Sequence, residues 1–347
     1  MSARATVAAM TAYALELREA EVKLNQNESP FDFPLKDEVL ARAARRAWNR
    51  YPDFESTALR IALANAYGFD ADEILVGNGS NELLVAAIGT FVGSGTSVVI
   101  ARPTFALYEK LITIAGGVVI PIDIDPATGL LPLDEMIAAR GDVVIVCSPN
   151  NPTGGALPEN GIEQLLATGA TVLFDRAYGD FALDSVWSAA AKLPLSKRLR
   201  QLPHSIASRL VTFSTFSKAW GLAALRVGWL ASTASTCREI RKVKLPYSLN
   251  IVSETAIVLA LEHREIYSAN VARIISERER MIDAMRAVPN VAPFPTKANF
   301  IAFRTRASFD DFCERGILVR RYADFLRVSI GTRAENDRFL DALKELA

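Results

Sequence analysis

The segment Phe213-Ser214-Thr215-Phe216-Ser217-Lys218-Ala219-Trp220-Gly221-Leu222-Ala223-Ala224-Leu225-Arg226-Val227-Gly228 holds one lysine among hydroxyls, glycines and apolar side chains. Few charges neighbour it, and apolar surroundings favour the neutral amine, the form that adds to a carbonyl. Thr215 and Ser217 could donate to phosphate oxygens, and Arg226, shortly before the next apolar run, could clamp them with its planar fork. A lone lysine is ordinarily a solvated surface charge, a reading this context disfavours.

Other segments follow or precede apolar runs in the same way. Gly77-Asn78-Gly79-Ser80-Asn81-Glu82 opens a helical pattern, so its glycines and free amides suit a phosphate. The same residues also fit an ordinary Asn or Ser cap after a glycine turn. Ser148-Pro149-Asn150-Asn151-Pro152-Thr153-Gly154 makes a stiff turn that either presents a side-chain amide to a ligand or serves the backbone alone. Asp175 follows an apolar run and precedes Tyr178. A carboxylate there either meets a cation, such as a protonated ring nitrogen, or sits solvated in a turn. Phe105, in Arg102-Pro103-Thr104-Phe105, is a stacking partner for a ring or a core aromatic at a helix start. Arg320 and Arg327 could bind anions or lie in solvent at a sheet edge, and solvent is the better reading for Arg321.

The elements that must position these groups are legible from periodicity. Apolar, β-branched runs at Ser97 to Ala101, Val118 to Ile122, Asp142 to Cys147, Thr171 to Phe174, Leu210 to Phe213 and Val227 to Ala231 read as strands. Helical patterns at Asn81 to Phe91, Glu159 to Leu166 and Ile266 to Val288 accompany them. This predicts an α/β domain with a mostly parallel, helix-covered sheet, whose ligands sit beyond the carboxyl ends of the strands. The tail changes character. Strands at Asn299 to Arg304, Ile317 to Arg320 and Leu326 to Ile330, with helices at Phe309 to Arg315 and Ala334 to Leu346, predict a smaller α+β domain. The expected division is an N-terminal arm and part of the small domain in 1–50, a large domain in 51–265 and the small domain in 266–347.

Composition narrows the partners. With 39 basic and 39 acidic residues in 347, no net field gathers nucleic acid or an anionic membrane. Basic stripes with interleaved aromatics are missing too, so small molecules are the expected partners. Cys147, Cys237 and Cys313 are widely spaced, with no metal-ligand spacing, and fit a reducing cytoplasm. The apolar stretch near the N-terminus is interrupted by Glu16, Arg18, Glu19 and Glu21, unlike a signal peptide, and no run of eighteen apolar residues occurs.

Together these segments resemble the fold-type I pyridoxal-phosphate enzymes and, within them, the histidinol-phosphate aminotransferase group. The likeness runs from Leu24-Asn25-Gln26-Asn27-Glu28 and Asn49-Arg50-Tyr51-Pro52 through the Asn150 to Gly154 turn to Leu326-Arg327-Val328-Ser329-Ile330-Gly331-Thr332-Arg333. It implies an aspartate aminotransferase-like fold and pyridoxal 5'-phosphate as cofactor. It also implies ping-pong amino transfer between L-histidinol phosphate and 2-oxoglutarate. Under the resemblance, Lys218 anchors the cofactor and shuttles the proton, Asp175 pairs with the ring nitrogen, and Asn151 and Tyr178 hydrogen-bond the ring hydroxyl. Phe105 stacks on the ring. Gly79, Ser80, Asn81, Thr215, Ser217 and Arg226 form the phosphate cup, which Tyr51 reaches from a neighbouring subunit, implying a homodimer. Asn27 and Asn151 border the substrate, Arg327 grips a carboxylate, and Arg320 helps bind the substrate phosphate.

The chain departs from the group in three places. Arg176 stands where an acid is usual and adds positive charge near the site, and the interval from Asp175 to Lys218 is long. The extra residues, around Val186 to Ser208, are positioned to remodel the pocket mouth. The N-terminal segment also lacks the usual Pro-rich opening. Rival readings are an aromatic amino-acid aminotransferase, a threonine-phosphate decarboxylase and a binding protein that kept the fold but lost catalysis, the last disfavoured by the presence of Lys218 and Asp175.

Overall fold

The computed structural model describes residues 3–12, 18–183 and 195–347. Its largest sheet has seven strands: β1 Ile74–Asn78, β2 Ser97–Arg102, β3 Val118–Asp123, β4 Val143–Cys147, β5 Thr171–Asp175, β6 Leu210–Thr215 and β7 Val227–Ala231. They lie in the order β1-β7-β6-β5-β4-β2-β3. From β6 through β5, β4 and β2 to β3 all pairs are parallel, whereas β7 runs antiparallel to both of its neighbours. Every residue of β4 and of β7 is buried, which explains their unbroken apolar sequences. At the edge, every residue of β3 is exposed or only partly buried, and the strand tolerates Pro121, as an edge strand can.

The sequence pattern located six of these strands. It did not single out β1, whose apolar core of Ile74, Leu75 and Val76 gives way at once to Gly77 and Asn78. Helices α1 Thr57–Tyr67, α2 Gly79–Phe91 and α3 Leu107–Ala115 bury apolar residues such as Leu59, Leu83 and Ile112.

A second sheet of four strands, β8 Ala292–Pro293, β9 Phe300–Arg304, β10 Arg320–Arg321 and β11 Leu326–Ser329, is antiparallel in the order β10-β11-β9-β8. Phe303 of β9 packs edge-on against Phe312 and Phe339, which stack on each other with centroids 5.5 Å apart. The helices carrying those two rings begin at capping boxes, Ser308 with Asp311 and Thr332 with Glu335. The single strand expected over residues 317–320 is divided. Ile317–Leu318 pairs in parallel with Val22–Lys23, and Arg320–Arg321 turns to pair with β11. Among the described residues, no helix is long and apolar enough to cross a membrane.

Candidate active site

The register of the large sheet decides which side chains meet. Cys147 lies opposite Asp175 and Asp175 opposite Phe213, so β4, β5 and β6 end side by side. Because β7 is antiparallel, its start lies at that same edge: Thr215 faces Gly228, and Val227 faces Asn78 of β1. Arg226 therefore reaches this edge by preceding its strand, whereas Asp175 and Thr215 reach it by ending theirs. Beyond the edge is a cavity of about 500 Å³. Its lining includes Ser80, Asn81, Phe105, Asn151, Asp175, Tyr178, Thr215, Ser217, Lys218 and Arg226, together with Asn27, Arg320 and Arg327.

Lys218 enters the cavity with its Nζ donating to the Gln26 carbonyl at 2.8 Å. Burial, helped by the positive charges of Arg327 and Arg226, lowers its pKa to about 8, although Glu28 opposes the shift. Asp175 is 4% exposed, which removes the solvated-turn reading. Burial pushes its pKa up, but one oxygen accepts the Tyr108 hydroxyl at 2.7 Å and the other accepts the Ala177 amide at 2.9 Å, and both bonds favour the anion. The Tyr178 hydroxyl accepts a bond from Asn27 Nδ2 at 3.0 Å, and its ring packs edge-on to Phe300. Burial holds that phenol well above its usual range. Phe105 lines the cavity and packs edge-on against the wholly buried Tyr108.

At one end the groups suit an oxyanion. The cap residue of α2, Asn78, makes no side-chain capping bond, so this helix start lacks the ordinary Asn cap. Its free first-turn amides can serve an anion instead. Arg226 Nη1 donates to Ser217 Oγ at 3.1 Å, and the Ser217 amide donates to Thr215 Oγ1 at 3.1 Å. Gly79 has φ +74, and a Cβ there would lie 2.5 Å from Arg226 Nη2. The glycine keeps the guanidinium against the helix start.

In the Asn150 to Gly154 turn the two asparagines divide their labour. Asn150 is wholly buried, donates to the Pro103 carbonyl and the Thr153 hydroxyl and accepts from Thr104. That frees Asn151 to face the cavity, where its Oδ1 accepts from Arg327 Nη1. Arg327 is 4% exposed and also donates to the Tyr322 hydroxyl and the Asn25 carbonyl, so it is not an edge arginine in solvent. Its Nε has no partner among the described residues. Arg320 is partly buried and lines the cavity, whereas Arg321 is exposed beside Asp310.

Two of the departures noted in the sequence are placed by the fold. Arg176 is 5% exposed, is absent from the lining of this cavity and turns to the Ser214 hydroxyl, so its charge does not enter the site. Strand alternation sends Asp175 and Arg176 to opposite faces. Of the long interval, residues 184–194 lie outside the described residues. The part from 195 to 208 does not line this cavity among the described residues; Ser196 donates to the Tyr67 carbonyl and Arg198 pairs with Glu163. Tyr51 is 82% exposed and stacks on Tyr247 with centroids 4.8 Å apart, outside the cavity of its own chain. Lining residues that sequence reasoning missed include Tyr108, Cys147, Glu28, Gln26, Thr104 and Tyr322.

The family model described as aminotransferase class I and II matches residues 19–343. A histidinol-phosphate aminotransferase of Thermococcus gammatolerans is 35% identical over 336 residues, covering 94% of this chain and 92% of that protein. One from Pyrococcus furiosus is 35% identical over 332 residues, covering 93% and 91%. Among solved structures, histidinol-phosphate aminotransferase from Sinorhizobium meliloti in complex with pyridoxal-5'-phosphate superposes with a TM-score of 0.85. That match covers 99% of this chain and 96% of the other at 22% identity, a likeness of fold.

Proposed function

Because the chain belongs to the aminotransferase class I and II family, we propose that it transfers an amino group between L-histidinol phosphate and 2-oxoglutarate, with pyridoxal phosphate as cofactor, in a ping-pong sequence. The observation that carries this reading is the convergence of Lys218, Asp175, the oxyanion end and two further arginines on one cavity. The residues fit the cofactor. The start of α2 has no side-chain cap, Gly79 lets the Arg226 guanidinium lie against it, and the buried carboxylate of Asp175 faces a cavity able to admit a protonated ring nitrogen.

When bound, the cofactor supplies an aldehyde that condenses with amines and a ring that withdraws electrons from the substrate α-carbon. Every other task falls to the chain. Ser80, Asn81, Thr215, Ser217 and Arg226 would hold the phosphate, and Phe105 would cover the ring. An Asp175 kept anionic by Tyr108 and the Ala177 amide would hold a proton on the ring nitrogen. Asn151 and Tyr178 would orient the ring hydroxyl. Lys218, whose pKa of about 8 leaves part of its amine neutral near neutral pH, is suited to take and return the α-proton. Arg320 and Arg327 offer charge to substrate phosphate and carboxylate, and Asn27 fixes the Tyr178 hydroxyl from the substrate side.

We propose a homodimer as well. Trp48, Tyr51, Phe54 and Leu245 are all more than half exposed, an aromatic and apolar patch of the kind that marks protein contacts. The buried thiols of Cys147 and Cys237, neither in a disulfide, fit a cytoplasmic setting.

The deciding experiment is an absorbance titration of the cofactor-loaded protein with L-histidinol phosphate and, separately, with L-phenylalanine. Conversion to the pyridoxamine form at much lower concentrations of histidinol phosphate is expected. Conversion mainly by phenylalanine would transfer the assignment to an aromatic aminotransferase.

A further inference from the structure

Thr215 and Asp175 face the large cavity, while their chain neighbours Ser214 and Arg176 turn away from it and meet each other at 3.4 Å. On that other side is a second cavity of about 200 Å³. Its described lining carries four cations and no acid: Arg176 at the end of β5, Lys197 and Arg200 on α4 (Leu195–Gln201), and Arg264 at the start of α5 (Arg264–Arg286).

Two of these cations are held by backbone carbonyls, which leave their charge in place. Arg264 donates to the Ala66 carbonyl at 3.1 Å and lies over the Tyr67 ring, 5.7 Å from its centroid. Arg200 donates to the Gly68 carbonyl at 3.0 Å. These carbonyls belong to the end of α1, where backbone oxygens lack helical partners, so both arginines fasten a helix end while keeping their charge. Among the described residues, three acids act on these four cations. Glu73 and Asp70 pair with Arg200, and the charge of Asp180 acts on both Arg176 and Arg264. Lys197 stands exposed at the rim.

Arg176 is the least satisfied of the four. It is 5% exposed, its one described hydrogen bond is the long contact to Ser214, and its Nε has no partner among the described residues. A buried guanidinium with donors unused is costly unless an acceptor arrives.

We propose that this cavity binds a small oxyanion of the phosphate class, held by Arg176, Lys197 and Arg264. The volume exceeds that of a bare phosphate and admits the short organic tail of a phosphomonoester. A planar fork and a point-like ammonium converging from different elements suit an oxyanion with several acceptor oxygens.

The test is calorimetric titration of the cofactor-loaded protein at low salt with inorganic phosphate and, in a parallel arm, with glycerol 3-phosphate. Wild-type protein should bind at least one of them, and the tighter arm identifies a free ion or an ester as the ligand. Lys197→Ala and Arg176→Gln should each weaken that binding roughly tenfold, the cost of one charge-assisted hydrogen bond. Arg320→Ala should leave this component unchanged and remove only phosphate taken up by the large cavity, to which Arg320 belongs. Lys197 is exposed, so its variant reads the site even if Arg176→Gln does not fold. Absence of binding in both arms, or binding that survives Lys197→Ala but is lost in Arg320→Ala, would overturn the proposal.

Discussion

Lys218 owes its reactivity first to burial and then to the positive charges of Arg327 and Arg226. With a pKa of about 8, roughly a tenth of its amine is neutral at pH 7, some two hundred times more than for an ordinary lysine. In cofactor-free protein, acetylation of Lys218 by dilute acetic anhydride, followed by peptide mass spectrometry, should therefore show a midpoint near pH 8. A midpoint above about pH 10 would mean that the amine is solvated as in a free peptide. Asp175 depends more on a partner. Burial raises its pKa, so the anion is lost as pH falls, and the Tyr108 bond delays that loss. Tyr108→Phe should shift the acid limb of cofactor affinity upward by about 1 to 2 pH units, the equivalent of a charged hydrogen bond worth about 1.5 to 3 kcal/mol. Superimposable limbs in the two proteins would reduce Tyr108 to a space-filling role. Lys218 and Asp175 were legible in the sequence because a polar residue after an apolar run sits at a sheet edge. Tyr108 was not, because its meaning depends on a carboxylate at the end of a strand distant in the chain. Residue type and spacing did not separate Asn150 from Asn151; the family resemblance singled out Asn151, and it is the buried contacts of Asn150 to Pro103 and Thr153 that tie Asn150 to the turn itself.

Elements supply what single residues cannot, namely a fixed distance between the two halves of the oxyanion end. Ser80 belongs to α2 and Arg226 to the start of β7, and the pairing of β1 with β7 sets them side by side. Gly228 is the hinge of that arrangement, because a Cβ there would lie 2.3 Å from the Ser80 amide nitrogen. Gly228→Ala must push α2 away from β7, which should cost about 1 to 3 kcal/mol of stability, visible as a lower Tm. It should also weaken cofactor binding, measured by fluorescence titration. A lower Tm with unchanged affinity would show that the oxyanion end tolerates the displacement. In the smaller sheet, Arg320 sits opposite Arg327 on neighbouring strands, so the two charges reach the cavity from one surface. Arg320→Ala should raise the KM for histidinol phosphate by at least tenfold while leaving that for phenylalanine nearly unchanged, as removal of one charged partner predicts. Equal losses for both substrates would remove the phosphate role. Six strands of the large sheet were readable because helices cover both faces and leave uninterrupted apolar runs. β1 was missed because its apolar run stops after Ile74, Leu75 and Val76 and gives way to Gly77 and Asn78, and the strand at residues 317–320 was misjoined because each of its two pieces is only two residues long.

At the scale of the whole molecule, the open question is whether one chain completes its own site. Tyr51 lies outside the cavity of its own chain, yet it is 82% exposed and braced against Tyr247, which itself meets Phe54 edge-on at 5.2 Å. A ring held rigidly in solvent costs apolar hydration unless another surface covers it. A two-fold dimer would cover the same patch on both chains and would carry each Tyr51 toward the cavity of the other. This geometry has a consequence that no monomer shares. Lys218→Ala removes the reactive amine from its own cavity, whereas Tyr51→Ala damages only the cavity of the partner. When the two inactive variants are mixed and allowed to exchange subunits, half of the dimers become mixed. Each mixed dimer has one doubly damaged cavity and one with both Lys218 and Tyr51 intact. Activity should therefore return to about a quarter of the wild-type value per chain. Recovery should track the appearance of mixed dimers in native mass spectrometry. If mixed dimers form without any return of activity, Tyr51 acts within its own chain or not at all, and the shared-site arrangement must be abandoned even if the dimer stands.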